Sequence, residues 1–252
     1  MKRRLSRRGP QKGFVLGSVL CLATSAATER TARTLEIARD TPIIVEATVG
    51  RVSISGSDRA DIAIEIVRRA RSPEELVRLQ PVIEQGPRAL RIAAVQPGEE
   101  KDPALRGDIT INAPVSAKFE SVRVFEGGIT LTNLRNTVSA EIQRGPIDAA
   151  TLSGRVRLET ASGELTVRDA TASAGGLLRL RTFNGNVNLQ FSTRPANARI
   201  LALTLNGTIT SEIPLTVKDR FGPRFGEATL GTGDPVVSID VVTGNVHIKA
   251  GL

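Results

Sequence analysis

A five-residue unit limits what this chain can fold into more than any other feature of its sequence. The unit is glycine, any residue, an apolar residue, any residue and a second apolar residue. Copies stand at Gly107-Asp-Ile-Thr-Ile111, Gly127-Gly-Ile-Thr-Leu131, Gly145-Pro-Ile-Asp-Ala149 and Gly154-Arg-Val-Arg-Leu158. Further copies follow at Gly163-Glu-Leu-Thr-Val167, Gly185-Asn-Val-Asn-Leu189 and Gly244-Asn-Val-His-Ile248. Gly207-Thr-Ile-Thr-Ser211 lacks only the last apolar side chain, and Gly50-Arg-Val-Ser-Ile54 is an outlying early copy. From Gly107 onward the glycines lie 20, 18, 9, 9, 22, 22 and 37 residues apart. The two nines together make 18, so most intervals fit a rung of about 20 residues.

Apolar residues at alternate positions mark strands with one buried face. The residue before the glycine is usually a turn former: Ser153, Ser162, Asn184, Asn206 or Thr243. Glycine reaches positive φ without steric cost, and Asn and Ser hydrogen-bond locally in turns. Stacked units bury a continuous core that no single unit could build. The spacing therefore predicts an all-β chain folded as a single-stranded, β-helix-like β-solenoid. An alternative remains open, because 178–191 also reads as a β-hairpin closed by a type I′ turn at Asn184-Gly185. A row of such hairpins would make an antiparallel β-meander or sandwich.

Ahead of the repeat, period-two runs at 34–37, 43–47, 51–54 and 61–67 predict strands. Ser72-Pro73-Glu74-Glu75 supplies an N-cap, a proline at the first helical position and an acid at the third, and Pro81 limits that helix to about two turns. Strands resume at 82–83 and 89–93, and the polar segment 96–103 is the best internal boundary. The division expected is a short N-terminal β module with one short helix over 33–96, continuous with a repeat region over 107–250.

The chain of 252 residues carries a formal net charge of +8, which suggests a nucleic-acid or membrane partner until the charge is located. Residues 1–27 hold Lys2, Arg3, Arg4, Arg7, Arg8 and Lys12 and no acid; without them 28 basic residues face 26 acidic ones. An apolar stretch over 14–23 follows the basic run, then Thr24, Ser25, Ala26 and Ala27. That order is a secretory signal peptide ending at Ala27, and its apolar core is far shorter than the roughly 20 residues that span a bilayer. Pro10 and Gln11 spoil a twin-arginine signal after Ser6-Arg7-Arg8, and Leu20 spoils a lipoprotein site at Cys21.

The repeated unit, together with the stretch Leu230-Gly-Thr-Gly-Asp-Pro-Val-Val-Ser-Ile-Asp-Val-Val-Thr-Gly-Asn-Val-His-Ile248, resembles the bacterial putative-adhesin domain family. The Ile109-Thr-Ile-Asn-Ala-Pro114 entry into the repeat is similar to that family's strand-then-proline entry. The resemblance covers roughly residues 33–250 and implies an exported β-helical protein of the bacterial envelope, without catalytic residues. An insertion between Gly207 and Gly244, from Pro214 to Arg224, departs from the pattern.

Beyond residue 27 there is one His and no Cys, Met, Trp or Tyr. One His cannot hold a zinc ion, and His247, between two inward-facing residues, is expected to point to solvent. Gly231-Thr-Gly233 lacks the third glycine and the helix of a dinucleotide fingerprint. Asp148, Glu159 and Glu164 lie near one another in the repeat, but surface charges balancing arginines explain them. Without Cys there are no disulfides, and without Trp or Tyr the usual sugar-stacking faces are missing. The positive feature is an arginine cluster: Arg155 and Arg157 at the outward positions of one copy, with Arg168, Arg179 and Arg181 on following strands. If the strands stack, these could line one face able to hold phosphate or carboxylate groups.

These features predict an exported, non-enzymatic envelope protein, an adhesin-like binding or scaffold module of the periplasm or cell surface, with no cofactor or metal. The alternative is a polysaccharide-active lyase or hydrolase on a β-helix. The partners expected are anionic envelope glycans, lipid headgroups or another envelope protein; no transmembrane segment is read in the mature chain. Nucleic acid is not expected, because export removes the chain from the genome and aromatic platforms are missing. N-terminal sequencing of the exported protein is expected to begin at or near Thr28, and finding Lys2 or Arg3 on it would overturn cleavage.

Overall fold

Alternating apolar residues need a partner surface on one side, and backbone polar groups need neighbours on both edges; this chain meets both demands by lateral stacking. The computed structural model describes residues 26–38, 40–218 and 222–251. The expected signal sequence therefore lies almost entirely outside the described residues. Nineteen strands and one helical turn occur among them. The first part of the chain holds β1 (Ala27–Glu36), β2 (Pro42–Ser57), β3 (Asp61–Ala70), α1 (Pro73–Leu76), β4 (Pro81–Gln85) and β5 (Leu90–Ala94). The middle holds β6 (Arg106–Pro114), β7 (Lys118–Leu134), β8 (Val138–Arg144), β9 (Ile147–Leu152), β10 (Arg155–Ser162), β11 (Leu165–Ala170), β12 (Leu177–Asn184) and β13 (Val187–Phe191). The last part holds β14 (Ala198–Asn206), β15 (Ile209–Ser211), β16 (Thr216–Lys218), β17 (Arg224–Leu230), β18 (Val236–Thr243) and β19 (Val246–Lys249).

Most pairing is parallel and forms two ladders. The first runs β5, the first half of β2, the first half of β7, β8, β10, β12, β18, β14. The second runs β6, the second half of β2, the second half of β7, β9, β11, β13, β19, β15. Inward residues of both ladders, among them Ile54, Leu131, Leu158, Leu180, Val187 and Ile239, belong to one buried cluster. Each such Leu, Ile or Val contributes roughly 1.5–3 kcal/mol by leaving water.

The hairpin alternative is corrected here. β12 and β13 flank Asn184-Gly185 but do not pair with each other; β12 lies parallel to β10 and β18, and β13 to β11 and β19. A type I′ turn needs positive φ at both central residues, and here Gly185 has φ of 147° while Asn184 is not among the positive-φ residues. The chain turns a corner instead of reversing.

That corner is where the ladders join, and glycine makes it possible. Gly107, Gly50, Gly127, Gly145, Gly163, Gly185, Gly244 and Gly207 stack in this order, and a Cβ on each of the last seven would overlap the carbonyl oxygen of a neighbouring glycine in the stack. Successive corners are tied by N–H groups of Gly145, Gly163, Gly185 and Gly244 donating to the carbonyls of Ser162, Asn184, Thr243 and Asn206, at 2.8–3.0 Å. The buried hydroxyls of Thr160, Thr182 and Thr204 donate to the carbonyls of Gly145, Gly163 and Gly244 at 3.1, 3.4 and 2.8 Å. Just past the corner, the Asn186 side-chain oxygen accepts from the Asn245 N–H and the Asn245 oxygen from the Thr208 N–H, both at 2.9 Å. Gly154 stands outside this stack, beside Asn136 at another turn, so the two nine-residue intervals are one full step between Gly145 and Gly163.

Antiparallel pairs occur at the two ends of the ladders. β3 lies on β6 and β1 on β3, with β4 on β5; at the opposite end β17 lies on β14 and β16 on β17. They cover backbone edges that would otherwise be open to another chain. The insertion from Pro214 to Arg224 thus supplies β16 and the start of the covering strand β17. The helix is shorter than expected, a single turn: Ser72 Oγ accepts from the Glu75 N–H at 3.3 Å as foreseen, but Leu79 N–H already bonds to Leu76 O. Buried Arg68 holds that turn, donating to Leu79 O at 2.5 Å and pairing with Glu29 at 2.7 Å.

Gly185→Ala is expected to lower stability by roughly 2–4 kcal/mol in denaturant unfolding, because it forces two rungs apart. Gly86→Ala, whose Cβ meets only the Ala89 carbonyl oxygen at 3.4 Å, is expected to change it by less than about 0.5 kcal/mol.

Candidate functional site, a basic outer face

Val156, Leu158 and Leu180 point into the core, which turns Arg155, Arg157, Arg179 and Arg181 outward on β10 and β12. The register sets Arg157 directly beside Arg179 and Glu159 beside Arg181. Neighbouring parallel strands lie about 4.8 Å apart, so two adjacent guanidiniums repel unless water or an anion lies between them. Partial relief comes from the next strand, where Asp240 of β18 is level with Arg181 and lies 3.8 Å from Arg179. Among the described residues no ion pair within 4.0 Å holds Arg155, Arg157 or Arg181. The Nε of Arg179 is buried and without a hydrogen-bond partner, while the side chain as a whole is 39% exposed. The buried Nε is closed to a ligand, so an oxyanion would have to be received by the terminal N–H groups of the guanidinium.

Arg168 does not join this face. It is exposed on β11, in the second ladder, beside Ala150 of β9. The chain turns the glycine corner at Gly163, and outward residues before and after that corner belong to different ladders. The candidate acids are separated in the same way: Glu159 stands on β10 of the first ladder and Asp148 on β9 of the second. Glu164 accepts a hydrogen bond from the Asn188 side-chain amide, and His247 lies between buried Val246 and Ile248 on the outer side of β19. No group of three or more His, Cys, Asp or Glu side chains comes together to hold a metal ion among the described residues. Elsewhere, Asp102 is held below the usual carboxylate range, first by the Ala104 N–H and then by Arg71, and serves to fasten the polar segment before β6.

One feature of this face escaped the sequence reading. On β14 the outward residues Leu201, Leu203 and Leu205 are all aliphatic, although Ile200, Ala202 and Thr204 already fill the core. The unbroken run Ile200-Leu-Ala-Leu was the available signal, since a strand with one wet face alternates in polarity. No helix among the described residues is long and apolar enough to cross a membrane.

No protein-family model matches the chain, and no curated protein matches it. Among solved structures, it is similar to a putative adhesin from Bacteroides fragilis at 11% identity and a TM-score of 0.37, over 87% of this chain and 97% of that one. It is similar also to a putative cell adhesion protein from Clostridium sporogenes at 15% identity and a TM-score of 0.55, over 88% of this chain and 99% of that one. At that identity the second likeness is one of fold, and it extends over nearly the whole of both chains.

Proposed function

We propose that the chain is an exported, non-enzymatic β-solenoid of the bacterial cell envelope, an adhesin-like binding or scaffold module whose basic outer face engages anionic groups. The observation that carries the reading is the in-register pairing of Arg157 with Arg179 on the outside of two parallel strands, flanked by Arg155 and Arg181. Each of the eight stacked glycine corners joins one strand of each ladder, which is the geometry expected of a solenoid. The adhesion name of the Clostridium sporogenes protein supports a binding role for this fold. Glu159 and Asp148 stand on different ladders, while Glu159 is in register with Glu141 on β8, so product release is the measurement that separates binding from the polysaccharide-cleaving alternative, which needs two carboxyls converging on one bond.

The test is a panel of acidic polysaccharides and vesicles with anionic lipid, read for both binding and product release. Saturable binding without turnover is expected. Arg157→Gln with Arg181→Gln is expected to weaken it about tenfold and to flatten its dependence on salt. Release of shortened saccharides would replace the reading with the enzymatic one, and unchanged binding by the double variant would remove the face from it.

A further inference from the structure

The arginines and the leucines of the first ladder face one another across a single strand. The outward residues of β18 include short Ser238 and Asp240, whereas β12 on one side carries Arg179 and Arg181 and β14 on the other carries Leu201 and Leu203. The result is a surface depression with one cationic wall and one aliphatic wall, lined by Arg179, Arg181, Asp240, Leu203, Leu205 and Val242. At its glycine-corner end Phe183 is 58% exposed and Leu205 43%. Both residues adjoin the Val242 level, since Asn184 and Asn206 are in register with Thr243 on either side of it.

We infer that this face docks on an anionic lipid surface, with Phe183 and Leu205 entering the headgroup–acyl boundary and Arg157, Arg179 and Arg181 holding lipid phosphates. The inference rests on the basic-face reading above and narrows its partner. Charge complementarity favours it. Arg199 is taken up by Glu227 at 3.0 Å and Arg179 is shared with Asp240, which leaves Arg155, Arg157 and Arg181 against Glu159 and, in register with it on β8, Glu141. Two such faces apposed in a homodimer would repel, whereas an anionic leaflet attracts them. A polysaccharide would satisfy the arginines but leave the phenylalanine and leucine against hydroxyls. A bilayer interface is the environment that receives both at once.

The absence of Trp and Tyr makes the test direct, because a single introduced tryptophan reports without background. In the exported protein, the emission of Leu205→Trp is expected to shift to the blue with vesicles containing phosphatidylglycerol, and to stay in place with phosphatidylcholine alone. Phe183→Ser with Leu205→Ser is expected to weaken vesicle partitioning about tenfold while changing binding to a soluble acidic polysaccharide by less than about twofold. That second measurement also shows the variant to be folded. Val77→Ser, at an apolar side chain 66% exposed near α1, is the control expected to leave vesicle binding unchanged. Binding to the polysaccharide without binding to vesicles overturns the lipid inference and leaves the basic-face reading standing; binding to neither overturns both. Vesicle binding indifferent to the Phe183 and Leu205 changes overturns the insertion. Self-association abolished by the same changes, without vesicle binding, replaces the lipid with a second copy of the chain.

Discussion

Everything in this structure depends on the distance to which two backbones can approach at one corner. Parallel strands on both ladders must stack at hydrogen-bonding separation, and the chain must pass from one ladder to the other in the same few residues. At that crossing the backbone of each rung leans over the next, and no space remains for a β-carbon. Gly127 above Gly50, or Gly185 above Gly163, is therefore a condition of the pairing on either side of it. The surrounding hydrogen bonds have the same origin. Carbonyls that would strike a Cβ are instead available to threonine hydroxyls, and corner N–H groups reach the carbonyl one rung away. Because side chains alternate, fixing the corner fixes which residues of every strand face the core and which face outward.

The same dependence explains how much of the fold was legible. The glycine unit, read with its two apolar partners, located the strand on the exit side of each corner and the direction of its side chains. It misled where a glycine had another job. Gly154 fits the five-residue pattern but serves a different turn, and only the carbonyl it approaches reveals this. The hairpin reading failed for a related reason, since Asn-Gly encodes a tight change of direction without saying whether the chain returns beside itself. The order of rungs was not legible at all. β2 pairs between the rung of β5 and β6 and that of β7, and β18 lies between β12 and β14, although in each case the chain passes these positions out of turn. Pairing partners separated by tens of residues leave no local trace in composition or period.

For the face itself, alternation within a strand was enough to set Arg155 with Arg157 and Arg179 with Arg181. Their meeting depended on β10 and β12 being neighbours, which the repeat spacing anticipated and the register delivers. Arg168 shows the limit of that reasoning: alternation holds along a strand, and its meaning changes once the chain has turned a corner. The outward leucines of β14 show another limit. A run that is apolar at every position looks like a strand covered on both sides, and nothing local tells a covered face from an exposed one.

The late arrival of β18 and β19 has a consequence for how such a protein can vary. In an ordinary repeat array, length changes by duplication at an open end, where a new unit docks on the last one and leaves the others undisturbed. Here the segment that comes later in sequence occupies an inner berth, and the outer berth is already taken by β14 and β15, with β17 laid against β14. Whatever follows β19 leaves from between two rungs instead of from an edge. An added unit at that point would find no free strand to pair with, so growth of the ladder has to occur by insertion in its middle, where the corners between Gly127 and Gly185 repeat most evenly.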